Sequence, residues 1–264
     1  MLASALPTSL TFPGVGLLAG IAIGLTGMGG GVLLTPIMVL LLGVPARTAI
    51  GNDLLVSLLV KPVGAVKHDR AGTVRRDIVV RLAAGSVPAA FLGAVLANHL
   101  FTKDGALLEA VLGATLLTSA AMMIYRMLVS RRATGDSSEV PVEQPARTIP
   151  TIAVGAIGGL LVGITSVGSG SLMLVLLMWL YPRLSSRQLV GTDLVQAVPL
   201  VASAALGHVL FGDIRFSIVL PVLAGALPGV WLGSKWSSTM PDRALRPLLT
   251  VLVSASGLRL IGVI

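Results

Sequence analysis

A chain of 264 residues that is 55% apolar and only 11% charged, with a mean hydropathy of +0.94, lies outside the range of a water-soluble domain. Its lack of cysteine excludes disulfides, thiolate metal ligands and a cysteine nucleophile. A net charge of +8 could serve nucleic acid, but the basic residues sit at the ends of apolar runs, where Lys and Arg orient membrane segments, so a lipid bilayer and not a nucleic acid is the expected partner.

No charged side chain precedes Arg47 and none lies between Arg147 and Arg183, so each stretch has room for two membrane segments. The opening MLASALPTSL lacks the basic region of a cleavable signal, and the first helix is expected to stay in the mature protein. Apolar runs and their breakers predict helical segments at 12–26, 29–43, 52–67, 77–98 and 106–128. A second set follows at 150–165, 168–181, 192–209, 216–235 and 243–262. The second segment of each set, about 14 residues and preceded by glycine, is short for a crossing and reads as a half-helix or re-entrant piece. Between the sets, RRATGDSSEVPVEQPAR from Arg131 to Arg147 has charge, Pro and Ser without apolar periodicity and reads as a flexible aqueous linker. The expected organisation is an N-terminal membrane repeat at 1–130, a cytoplasmic linker at 131–148 and a C-terminal membrane repeat at 149–264.

The two sets are copies. GLTGMGGGVLL from Gly24 faces GITSVGSGSLM from Gly163 at an offset of 139, and GNDL from Gly51 faces GTDL from Gly191 at an offset of 140. At that second offset His68, Gly72, Arg75, Gly85, Pro88 and Gly93 match His208, Gly212, Arg215, Gly225, Pro228 and Gly233. Spaced Gly, Pro and His agreements of this kind are not supplied by generic hydrophobicity, and duplication accounts for them. Charge bias reverses between the copies. Span 67–81 holds Lys67, Arg70, Arg75, Arg76 and Arg81 where 207–221 has Arg215 alone; span 99–109 has Lys103 where 239–249 has Arg243 and Arg246. The positive-inside rule then makes the 67–81 and 235–246 loops and the linker cytoplasmic and puts both termini outside. The expected fold is an all-α integral membrane protein of two inverted-topology helical repeats, with about 8–10 membrane segments.

Gly16, Gly20 and Gly24, and again Gly155, Gly159 and Gly163, recur every four residues, as do Gly225, Gly229 and Gly233 opposite Gly85, Ala89 and Gly93. Such stripes let helix backbones approach closely in lipid. Trp179, Tyr181, Trp231, Trp236 and Tyr125 lie near segment ends and read as interfacial anchors.

Functional candidates cluster at matched positions. The breaks TGMGGG (Thr26 to Gly31) and TSVGSGS (Thr165 to Ser171) interrupt apolar runs where free backbone groups need partners. Helices restarting after them would aim amides and positive dipole ends at the gap, favouring a small anion. The expected substrate contacts are Thr26, Gly29, Gly30, Gly31, Thr165, Ser166, Gly168, Ser169, Gly170 and Ser171, with Gln196 as a further intramembrane polar group, alongside Ser57 and Ser203. Asp53 and Asp193 read either as caps of the helices they precede or as carboxylates for coupling or gating. Lys61, whose counterpart is Val201, either snorkels, pairs with Asp53 or attracts an anion. His68 and His208 are a matched pair that could take part in proton coupling.

No HExxH, GxSxG or Walker loop occurs, so neither an enzyme nor a cofactor or metal requirement is expected. The chain closely resembles the TauE/SafE sulfite-exporter family of membrane permeases in GLTGMGGGVLLTP, KPVGAVKHDRAGTV, GTDL, ALGHVLFGDI and AGALPGVWLGSKWSSTMPDRALRPLL. The resemblance implies a multi-spanning bacterial inner-membrane protein that moves sulfur-containing anions such as sulfite or organosulfonates, with coupling to an ion gradient open. Ser166 and Ser169 depart from the glycines of the first copy, so the two half-sites need not bind equally. Two other readings stay open from sequence: a non-transporting membrane subunit of a partner complex, and a proton-coupled cation permease using Asp53 and Asp193. Self-association is also left open.

Overall fold

The computed structural model describes residues 8–26, 32–100, 105–132, 144–212, 214–236 and 242–263, and among them the only regular structure is helical. The first half contributes α1 (Thr8–Thr26), α2 (Leu34–Leu40), α3 (Ala46–Arg70), α4 (Arg76–Leu100) and α5 (Gly105–Arg132). The second contributes α6 (Thr148–Thr165), α7 (Leu172–Leu180), α8 (Ser186–Phe211), α9 (Phe216–Trp236) and α10 (Asp242–Leu260). Six of these, α3 to α6, α8 and α9, are long and apolar enough to cross a bilayer, and apolar cores at Thr11–Leu25 and Pro247–Leu260 are shorter. At 1.5 Å per residue, α2 and α7 reach only about 10–14 Å, less than half of a hydrocarbon core of about 30 Å. Large apolar side chains such as Leu18, Val80, Leu220, Trp231 and Val251 stand exposed on the outside of the bundle, as contact with lipid requires. The chain is a multi-pass membrane protein.

Two boundaries differ from the expected ones in a way that matters. α3 starts directly after Pro45, and α8 starts at a capping box in which Ser185 and Gln188 satisfy each other's backbone amides. GN and GT look like breakers in sequence, yet both glycines lie inside helices, because Gly51 is packed by Ile214 and His208 and Gly191 by Thr73 and His68. Asp53 and Asp193 are therefore each the eighth residue of a helix, and the cap reading fails for both. The expected linker is also shorter at its ends: Arg131 and Arg132 close α5 and Thr148 opens α6, while 133–143 lies outside the described residues.

Exchanging the halves maps the main helix pairs onto one another. α1 packs along α9 and α6 along α4; α3 packs on α8, α5 on α10, and α4 on α8 as α9 does on α3. The repetition extends to single bonds: the Arg75 amide donates to Thr192 Oγ1 at 3.1 Å, and the Arg215 amide donates to Asn52 Oδ1 at 3.0 Å. α3 and α8 run antiparallel, since the facing pairs Gly51/His208, Gly64/Leu194 and Gly191/His68 each total 258 or 259.

The glycine stripes make the α1/α9 and α4/α6 contacts. A Cβ on Gly16, Gly20 or Gly24 would land on the carbonyl of Val222, Ala226 or Val230, and one on Gly155, Gly159 or Gly163 on that of Leu82, Ser86 or Ala90. Without a hydrophobic force between helices in lipid, this backbone proximity is what holds the pairs together. Gly16→Ala should lower stability by about 1–3 kcal/mol through overpacking, whereas Gly14→Ala, whose Cβ meets nothing within 4 Å, should be neutral. Unfolding midpoints of the purified variants in mixed detergent check this; equal midpoints would refute the close packing.

Candidate functional site

Three polar residues of α3, Asp53, Ser57 and Lys61, follow one another at four-residue spacing and so share one helix face. All three are buried, Asp53 fully. Thr35 of α2 donates to Asp53 Oδ2 at 2.8 Å, and Ser57 approaches Asp53 Oδ1 at 3.4 Å. Thr35 Oγ1 is also 2.7 Å from Ser166 Oγ, which belongs to the other half. Because the Thr35 proton goes to the carboxylate, Ser166 is the donor in that second bond, and the relay Ser166 to Thr35 to Asp53 joins the halves.

The segment between α6 and α7 brings the second half to this face. Ser166 is left-handed (φ 60°), and Gly168 and Gly170 have φ of 115° and 112°, conformations that glycine adopts without a Cβ clash. For Ser166 the cost is offset by its amide bond to Val162 O at 2.7 Å and by the bond to Thr35. Thr165 turns away from the face; its hydroxyl donates to Leu161 O at 2.7 Å and accepts from the Val167 amide at 3.2 Å, closing the helix end. Ser169 follows on the site side and accepts a short bond from the Lys61 ammonium. Ser171, fully buried at the start of α7, has a hydroxyl with no partner among the described residues.

The charges are spread along the α3/α8 pair. With facing positions totalling about 259, Asp193 stands opposite position 66 of α3, so the carboxylates are about 20 Å apart along the axis, with Lys61 between them and nearer the level of Asp193. The Lys61 charge acts on Asp193 first and Asp53 second, but no salt bridge joins it to either among the described residues. On α8, Gln196 donates its amide to Ser86 of α4, while its Oε1 and the Oδ1 of Asp193 are buried and have no partner among the described residues.

Other expected residues fall elsewhere. Thr26 ends α1 with its side chain outside the described residues, as Gly29, Gly30 and Gly31 are altogether. His68 and His208 lie at opposite ends of the α3/α8 pair: His68 contacts Thr73 Oγ1 at 3.0 Å, and buried His208 contacts Asn98 at 3.2 Å and Gly163 O at 2.9 Å, bracing α8 against α4 and α6. Neither belongs to the central cluster. Ser203 bonds Val87 O at 2.6 Å and ties α8 to α4. Tyr181 is not an interfacial anchor; it is fully buried, its hydroxyl accepting the Arg147 amide at 3.0 Å and meeting Thr151, because the end of α7 folds under the start of α6. Trp179, Trp231, Trp236 and Tyr125 are exposed. Among the described residues no three His, Asp or Glu side chains come together to hold a metal ion.

With this arrangement in view, the family model described as Sulfite exporter TauE/SafE matches residues 12–260. The chain belongs to the TauE/SafE family. Relatives similar to this TauE/SafE member include the Bacillus subtilis (strain 168) probable membrane transporter protein YjnA, 34% identical over 94% of this chain and 97% of its own length. Two others from the same organism, the probable membrane transporter proteins YdhB and YunE, are 25% and 24% identical and cover 92% and 94% of this chain and 96% and 93% of their own lengths. No solved structure matches. The chain is thus a TauE/SafE membrane transporter.

Sequence reasoning missed Thr35 and Ser86, each a lone hydroxyl in an apolar helix with no polar counterpart in the other copy. Thr35→Val, which removes a hydrogen bond from a buried carboxylate, should cost about 1.5–3 kcal/mol in equilibrium unfolding. Ser166→Ala should couple to it, the double variant losing less than the two singles together; strict additivity would show that the relay does not join the halves.

Proposed function

We propose that this transporter is a secondary carrier for small anions, chiefly sulfur-containing oxyanions such as sulfite or organosulfonates, working by alternating access around Lys61. The observation that carries this reading is a buried ammonium held by one serine hydroxyl and by no carboxylate ion pair among the described residues. An unneutralised buried charge costs several kcal/mol, so an arriving anion is favoured there. The same place has the start of α7, where the amides of Gly168 to Ser171 have no acceptor among the described residues and the helix dipole adds positive potential. Two serine hydroxyls, Ser169, which accepts from Lys61, and Ser171, which has no partner among the described residues, keep their own protons to donate without adding fixed charge. The sulfur class comes from the family description alone.

The exchange symmetry of the packing and the antiparallel α3/α8 pair support inverted-topology repeats, 1–130 and 149–264, rocking about this midplane site. In the orientation read from Lys and Arg, the 131–148 linker is cytoplasmic and both termini are outside a bacterial inner membrane.

Purified protein in proteoliposomes should take up labelled sulfite or a short organosulfonate with saturable kinetics. Lys61→Met should weaken apparent affinity at least tenfold, a loss of about 1.4 kcal/mol. No saturable flux of any small oxyanion by correctly inserted protein would overturn the reading.

A further inference from the structure

We infer that Asp193 carries one proton with each monovalent anion, making the chain an electroneutral proton–anion cotransporter. This rests on the anion-carrier reading above and adds its coupling. The buried carboxylates differ in how they are served. Asp53 receives hydroxyl donors on both oxygens, an environment built for an ionised group. Asp193 has a buried Oδ1 with no donor among the described residues, and three residues on, along the same helix face, Gln196 presents a buried Oε1 that also has none there. Two acceptors and no donor leave one proton missing. Bound to Asp193, it removes the uncompensated charge and supplies the donor.

Charge balance sets the ratio. Among the described residues the buried Lys, Arg, Asp and Glu side chains are Lys61, Asp53 and Asp193, and with both carboxylates ionised they total −1. An anion added to that set would raise the buried charge to −2 in a medium that solvates neither. If Asp193 takes a proton as the anion joins Lys61, the total stays at −1 in the loaded and the empty carrier, and a full cycle moves no net charge. The other groups around Asp193 do not alter the balance. α6 and α7 bring no ionisable side chain; at the loop end α4 brings Arg76, Asp77 and Arg81, with Arg75 just before it paired to Asp77, and α3 brings Lys67, His68, Asp69 and Arg70, with Asp69 paired to Arg76. Arg126 of α5 also acts electrostatically on Asp193, and its charge is the same in both states. At Asp193 the proton also sits on the opposite side of Lys61 from Asp53, so the two carboxylates are not equivalent by position.

The test uses proteoliposomes and a labelled short organosulfonate, an anion that stays monovalent across the working pH range, so that any proton moved belongs to the protein. Lumenal acidification and anion entry are recorded together, with the membrane potential set by potassium and valinomycin. The expected ratio is about one proton per anion, with accumulation following an imposed pH gradient and unmoved by potential. Asp193→Asn should drop the ratio below about 0.2, while Asp193→Glu and Asp53→Asn keep it near one. Saturable flux with no accompanying proton, or a potential-driven wild type, would overturn the coupling while leaving the carrier reading intact. A ratio lost in Asp53→Asn but kept in Asp193→Asn would move the proton to the other carboxylate and refute the assignment. Flux absent from both Asp193 variants would place that residue in the binding step and refute it too. Absence of flux in the wild type falls on the carrier reading itself.

Discussion

Hydrocarbon solvates neither a peptide group nor a charge, and that constraint organises this molecule from its packing to its site. Helices satisfy their own backbones, so the described residues form helices joined by short non-helical connections, and polar groups inside must find partners in the protein. The glycine stripes answer the first need by letting α1 meet α9 and α4 meet α6 backbone to backbone. The Ser166, Thr35 and Asp53 relay answers the second, at the non-helical segment that joins α6 to α7.

The antiparallel pair α3 and α8 then converts a duplication into a direction. Each helix has its aspartate as its eighth residue, and because the helices run oppositely the two carboxylates end up toward opposite ends of the pair. One side chain between them, Lys61, is within electrostatic reach of both. A polar cluster of this shape has two ends and a middle, with a carboxylate toward each end and the ammonium between them.

Much of this was legible in the amino-acid order. The duplication, the helical segments, the glycine contacts and the family all rest on spaced Gly, Pro and His residues and on long uncharged runs, which lipid selects strongly. The helix starts were not legible at GNDL and GTDL, because a Gly next to Asn or Thr looks like a boundary unless one knows that His208 or His68 packs against it from the other half. Thr35 was missed for a related reason: one hydroxyl in LTPIMVL carries no local signal, and its meaning comes from two partners 18 and 131 residues away. Tyr181 was misread because position near a segment end suggests an anchor, while the bond to Arg147 that buries it depends on how α7 tucks under α6.

Val201 stands where the second copy could have had its own lysine. By the facing rule it lies opposite position 58 of α3, within about 5 Å along the axis of the level of Lys61. Two ammonium groups that close in a medium of low dielectric would repel by several kcal/mol. A dimer of identical single-repeat subunits could not escape that, since every residue appears twice. Joining two sequence copies in one polypeptide leaves them free to differ, so that at this level a lysine faces a valine where exact symmetry would have demanded two lysines.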